Sequence, residues 1–325
     1  MMPATTHFES APGGRHRTLD RMLIRAAVGT LLACSLNTAA ADAIARDLVP
    51  VTMMIGFSSA AFLQSNRNDV EAALKVLCET IGRKRGFQVT MTSRSFHNAA
   101  DFDRAIEAGE VNFAVFDSLA FVATRHPGDL TPVYIPITTG TRGRRYLLLV
   151  RRDSGLRTLA DLRGKSIVEL QAPDLSVGHT WLSSLLLAQG LGANEKFFRS
   201  IGYVDRPSAA VLPVFFGRQD ACLVDDLAFK LMVELNPQVG ALLQTVEISV
   251  PLVGGVMCVS EANWPTREFR PALLKTLGEL HLEPAGRQIL TLFKMDQMVP
   301  YEETYLDSAR ELWSTYTRLR KEVRP

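Results

Sequence analysis

From Val49 to Phe57 the chain reads VPVTMMIGF, an apolar, β-branched run that predicts an opening strand leading into a loop with Ser58 and Ser59. Val70 to Ile81 switches to helical apolar spacing, and residues 88–93, QVTMTS, return to strand character. In FDRAIEAGEVNFAVFDSLAFV, Phe102, Ala105 and Ile106 share one helix face, and Val111 to Phe116 fits a buried strand. Short, largely apolar strands separated by helices predict a mainly parallel sheet covered on both faces.

A polar, glycine-containing stretch, TTGTRGRR at 138–145, separates this unit from a second one. Tyr146 to Val150 predicts a strand, Leu159 to Gly164 a short turn or helix, and Ser166 to Leu170 another strand. Gly178 to Gln189 predicts a helix stopped by Gly190 and Gly192; Ser208 to Phe216 predicts one more helix, and Ala221 to Val224 one more strand. The strand-like VEISV at 246–250 suggests a return crossing near Pro251 to Gly255, followed by helices around 268–281, 284–293 and 302–321. Residues 44–145 and 246–325 therefore form one lobe, and residues 146–245 the other. The two crossings between lobes form a hinge able to close around a solute.

Residues 21–36, RMLIRAAVGTLLACSL, place Arg21 and Arg25 before an uncharged apolar core, Ala26 to Leu36, that is too short to span a membrane. Small residues end it at Ala41-Asp42-Ala43. Residues 1–43 thus read as a signal peptide and the extension before it, and they predict an exported protein. Leu31-Leu32-Ala33-Cys34 partly resembles the lipoprotein cleavage box, which would tether the mature chain through Cys34. Cleavage after Ala43 leaves Cys78, Cys222 and Cys258, which permit at most one internal disulfide and have no metal-site spacing.

With 325 residues, 47% of them apolar, the chain is long enough for two cored units, and the composition excludes wholesale disorder and a disulfide scaffold. Thirty-six Lys and Arg against 34 Asp and Glu, spread along the chain, argue against nucleic acid as a partner. There is no GxSxG elbow, HExxH pair or phosphate-loop lysine, so a binding role is favoured over catalysis. No cofactor is implied.

The chemistry that remains lies where strands hand over to helices. Ser176, Val177, Gly178 and His179 follow a strand and open a helix, where free N–H groups, a hydroxyl and the helix dipole can hold an anion; equally, Asp174 or Ser176 caps that helix, and His179 is a surface or core histidine. Arg206 precedes the next helix, either to grip an anion bidentately or to pair with Asp205. Asp225 and Asp226 end a strand, to accept from a ligand or to cap. Ser58 and Ser118 occupy matching positions in the first lobe, and Tyr146 follows the crossing.

The export signal, the two-lobe order and YLLLVRRDSGLRTLADLRGKSIVEL, with GRQDACLVDD and FAVFDSLAFV, resemble the phosphate/phosphite/phosphonate-binding family of bacterial ABC-transporter solute receptors over roughly residues 50–310. The resemblance implies an α/β, two-lobe type 2 periplasmic binding protein fold with a hinge and a ligand cleft. It also implies a non-enzymatic, monomeric receptor that captures a small oxyanion and delivers it to a membrane permease. Tyr146 and Asp225 are similar to positions that family uses. Where its phosphonate binders carry a Ser-Thr-Ser-Gly-like loop, this chain has Leu175-Ser176-Val177-Gly178, and Arg206-Pro207 stands where a histidine is frequent. Phosphate, phosphite and phosphonate all stay open as ligands. The alternative is an exported sensory module that reports ligand state to a membrane partner.

Overall fold

The computed structural model describes residues 48–58, 67–96, 99–124, 130–170, 176–261 and 264–323. The expected signal peptide with Cys34, Ser59 and the 171–175 segment with Asp174 lie outside the described residues.

Lobe 1 begins with β1 (Val49–Ser58), α1 (Arg67–Lys84), β2 (Phe87–Phe96), α2 (Ala99–Glu107), β3 (Phe113–Asp117), the single-turn α3 (Ser118–Ala123) and β4 (Leu130–Ile137). The apolar spacing that predicts a helix at 70–81 is extended at both ends by polar residues, with Asp69 in the first turn and Arg83 and Lys84 in the last, charges that suit the helix dipole. The chain then leaves through β5 (Gly143–Arg144).

Lobe 2 contains β6 (Tyr146–Arg151), β7 (Ser166–Leu170), α4 (Val177–Ala188), α5 (Asn194–Phe197), β8 (Ser200–Val204), α6 (Pro207–Phe215), β9 (Ala221–Asp225), α7 (Asp226–Leu235), α8 (Pro237–Leu242) and β10 (Leu243–Ile248). Gly190 does stop α4, at φ +68°, a left-handed conformation that a side chain would disfavour. The return uses β11 (Leu252–Val253), β12 (Gly255–Ser260), α9 (Phe269–Gly278), α10 (Pro284–Leu292), β13 (Gln297–Pro300) and α11 (Asp307–Val323). Because β10 runs to Ile248 along the edge of lobe 2, most of VEISV belongs to that lobe, so the lobe boundary falls a few residues beyond the expected 245/246 and just ahead of the crossing expected near Pro251 to Gly255.

The two sheets have orders β13-β4-β12-β3-β1-β2 and β10-β6-β9-β7-β8, and β11 pairs with β5 in a separate ribbon that forms the crossing. Neither sheet is mainly parallel, which corrects the expectation from the strand-helix rhythm. β12 runs against both β3 and β4, and β6 runs against both β9 and β10. The reason lies in the crossings. β3 and β9 end at the ribbon, whereas β12 and β6 begin there, so each entering strand must run opposite to its neighbour; Gly255 pairs with Asp117 and Tyr146 with Asp225.

The core of lobe 2 includes Leu148, Leu149, Val150, Val211 and Val214, all wholly buried. α11 carries a stripe of Ala309, Leu312 and Trp313 that packs with Leu119 and Val122 of α3, with Leu182 and Leu186 of α4, and with Leu252 of the ribbon. The C-terminal helix therefore straps both lobes, beyond the lobe 1 placement that sequence order suggests. Its amphipathic stripe requires an apolar seat, and the joint between the lobes supplies one.

Candidate functional site

The pairing of entering and ending strands brings Asp117, Tyr146 and Asp225 to one line at the hinge. In lobe 1, Asp117 ends β3 and its carboxylate accepts from the N–H groups of Leu119 (2.8 Å) and Ala120 (2.9 Å), capping α3. Ser58, at the end of β1, accepts from the Asp117 N–H at 3.0 Å. Asp117 is fully enclosed, and burial pushes its carboxyl up to about 6, against the opposing effect of the two backbone N–H groups.

Lobe 2 repeats the corner. Asp225 ends β9 and accepts from the Ala228 N–H at 2.8 Å, capping α7, while the Arg144 guanidinium stands 3.7 Å from its other oxygen. Tyr146 is tied to the return crossing in both directions: its N–H donates to Ser249 Oγ at 2.8 Å, and the Ser249 N–H donates to the Tyr146 carbonyl at 2.9 Å. Burial, and then the neighbouring Asp225 carboxylate, raise the Tyr146 phenol well above its ordinary value, so the hydroxyl stays protonated. Gly178 lies against the Tyr146 ring. A Cβ there would come within 2.6 Å of its Cδ1, so only glycine lets α4 approach the hinge this closely.

A cavity of about 230 Å³ opens at this line, with Asp117, Arg142, Arg144, Tyr146 and Val177 at its hinge end. The Arg142 guanidinium lies 4.6 Å over the Tyr305 ring. Two cations thus face an opening whose carboxylates are engaged in helix caps.

The sequence profile described as ABC transporter, phosphonate, periplasmic substrate-binding protein matches residues 60–305. The chain belongs to this family. Solved structures show the same fold: XAC2383 from Xanthomonas citri bound to ATP is 18% identical with a TM-score of 0.62, covering 84% of this chain and 100% of that one. A binding protein component of an ABC phosphonate transporter from Pseudomonas aeruginosa, PA3383, is 13% identical at a TM-score of 0.60, over 83% of this chain and 88% of that one. PhnD1 from Prochlorococcus marinus in complex with methylphosphonate is 15% identical at 0.57, over 82% of this chain and 98% of that one. No curated protein matches the sequence.

This solute-binding protein is thus a bilobal, exported receptor and not an enzyme. Among the described residues there is no cluster of His, Cys, Asp and Glu fit for a metal, and no helix is long and apolar enough to cross a membrane. Cys78, Cys222 and Cys258 are free; burial holds the Cys222 thiol up at about 12 and so unreactive.

Of the residues singled out in the sequence, Tyr146 and Val177 line the cavity. Ser58 and Asp225 stand one contact behind it, holding Asp117 and facing Arg144. Ser118 is wholly buried at the start of α3, and its hydroxyl has no hydrogen-bond partner. Ser176 caps α4, accepting from the His179 N–H at 3.4 Å. The His179 ring faces inward: Nδ1 lies 2.8 Å from Oε2 of the buried Glu169. Arg206 projects outward from the start of α6, 79% exposed, with Asp205 at 3.5 Å, and lies outside the cavity lining. The residues missed by sequence reasoning are Arg142 and Arg144. They sit in TTGTRGRR, which reads as a boundary because of its glycines; its two arginines flanking Gly143 are the signal that it also carries the charge of the site.

Proposed function

We propose that the protein captures a small phosphorus oxyanion, whether phosphate, phosphite or phosphonate, at the hinge end of its cleft and hands it, as a monomer, to an ABC-transporter permease. The observation that carries the reading is the placement of Arg142 and Arg144 at a cavity mouth built from strand ends and the first turn of α4. Arg144 is the principal anchor: held beside Asp225, it offers the remaining edge of a planar guanidinium to two oxyanion oxygens at once. The protonated Tyr146 hydroxyl supplies a neutral donor, and Arg142 adds a second charge from the rim. Ser118 and the Ser176–His179 turn are the donors that closure would bring into play, with Arg206 at the outer rim. Anchoring of the mature chain through Cys34 is consistent with a receptor that works beside its permease.

Calorimetric titration of ligand-stripped protein with phosphate, phosphite and methylphosphonate tests this, with Arg144→Ala and Arg206→Ala in parallel. Saturable binding at micromolar or lower Kd, weakened at least tenfold by Arg144→Ala and less than threefold by Arg206→Ala, supports the assignment. A reversed order moves the anchor to the rim, and silence across the series removes phosphorus oxyanions as the ligand class.

A further inference from the structure

The cavity does not stop at the charged mouth. It continues into the interior of lobe 1, between the sheet and the helices that cover it, where Phe57, Leu77, Met257, Leu277, Ile289 and Met298 form its wall. Most of these residues belong to the lobe's own hydrophobic core. Protein interiors are close-packed and contain few voids larger than a water molecule, so a cavity of about 230 Å³ that runs from a charged mouth into a core is a feature that calls for a filling group. A dry, hydrocarbon-lined cavity of about 150 Å³ is large enough to bind benzene, so this one has room for a chain of about six carbons.

The space has a single polar end. Arg142, Arg144 and Tyr146 stand at the hinge side with Asp117, while the far wall is apolar and carries Met257, Met295 and Met298, flexible thioether side chains that adapt to a chain of variable shape. Of the charged groups at the mouth, Asp117 caps α3 and Arg142 lies over the Tyr305 ring, while Asp225 stands 3.7 Å from one nitrogen of the Arg144 guanidinium, whose other donors can meet an anion. A ligand complementary to this layout is anionic at one end and unbranched and apolar at the other.

We propose that the solute carries a phosphorus oxyanion head on an apolar chain of about six carbons, with the head at Arg144 and the chain threaded into the core of lobe 1. The inference rests on the receptor reading above and narrows its substrate class. The same chemistry is found in alkylphosphonates and in monoalkyl phosphate esters.

The test is a chain-length series on the full protein: methyl-, propyl- and hexylphosphonate, with hexyl phosphate as the ester arm. Each methylene buried should tighten Kd about fourfold, so the five methylenes that separate hexyl- from methylphosphonate should tighten it about a thousandfold, and at least about thirtyfold if only half of that length is buried. If hexyl phosphate shows the larger gain, the ester is the natural head; if hexylphosphonate does, the carbon–phosphorus compound is. Methylphosphonate binding with no gain beyond twofold on lengthening would overturn the tail site and leave the receptor reading standing, whereas no binding by any member would overturn both. Leu277→Phe, which fills the wall, should bring the hexyl-to-methyl affinity ratio close to one; a folded variant with the wild-type ratio would place the chain elsewhere. Methyl NMR of labelled methionines in the wild-type protein gives an answer independent of any variant. The Met257 and Met298 signals should move on adding hexylphosphonate and stay put on adding methylphosphonate, and identical responses to the two would count against the proposal.

Discussion

Asp117 and Asp225 do the same structural work in two different electrostatic settings. Each ends a strand at the hinge, pairs in register with the first residue of an entering strand, and caps the helix that follows. In lobe 2 the capping carboxylate has Arg144 beside it; in lobe 1 the groups that hold Asp117 are backbone N–H donors, and burial drives its carboxyl up to about 6. One strand-Asp-helix corner thus yields a fixed ion pair on one side of the cleft and a titrating acid on the other. The interiors can be compared in the same way: Leu148 of lobe 2 is wholly buried, whereas Leu277 of lobe 1 lines the cavity.

The packing difference should show most strongly. Leu148→Ala removes a wholly buried side chain and should cost about 2–5 kcal/mol, whereas Leu277→Ala only enlarges the cavity it lines and should cost less than about 2 kcal/mol. Urea denaturation of both variants checks this, and equal losses would break the contrast between the lobes.

Next in size is the acid. Because the folded value of Asp117, about 6, lies above its ordinary 3.8, the folded state binds the proton more tightly. The stability this contributes is fully present below about pH 3.8 and is lost as pH rises through about 6, a change of up to about 3 kcal/mol. Asp117→Asn keeps a capping side chain but cannot titrate, so unfolding free energies at pH 4, 5, 6 and 7.5 should vary less with pH than in the wild type. In Asp225→Asn that pH dependence should survive, with a loss of stability from the stranded Arg144 instead.

Gly178→Ala should lower stability by about 1–3 kcal/mol, because its Cβ must displace the Tyr146 ring, and it should weaken anion binding in the same sample. Thermal melts paired with calorimetry would separate the two effects. The smallest effect belongs to Arg206→Ala, whose exposed pairing with Asp205 should leave the denaturation midpoint unchanged within error. A clear shift would mean that the rim of lobe 2 is more tightly organised than its exposure implies.

How much the sequence could tell depended on whether the deciding contacts were local. Strand Ser166–Leu170 has the predicted limits, and α4 starts one residue before its prediction, because each is specified by a short apolar run with its own stop signals. β4 reads poorly as a strand because LTPVYIPI contains Pro132 and Pro136, yet it lies inside the sheet, with Pro132 beside a register break against β12. GVMCVS, of which only Gly255 was read and as the end of a crossing, is β12 and lies between β3 and β4. Ser58, Ser118, Tyr146, Ser176 and Asp225 were legible as positions at strand and helix ends because such junctions can be located from periodicity. Whether each faces the cavity, a cap or the core was not legible.

By itself, then, the sequence determined the two-lobe α/β order, the hinge stretches, the family and the polar residues at strand ends, all carried by local patterns and by motif likeness. Only the tertiary structure decided that the sheets are mixed, that α11 straps both lobes, that Arg144 stands beside Asp225 and that lobe 1 holds an apolar space behind a charged mouth. Those features depend on which strand enters from the hinge beside which strand ends there. That is a relation between residues as far apart as Asp117 and Gly255, and no local pattern encodes it.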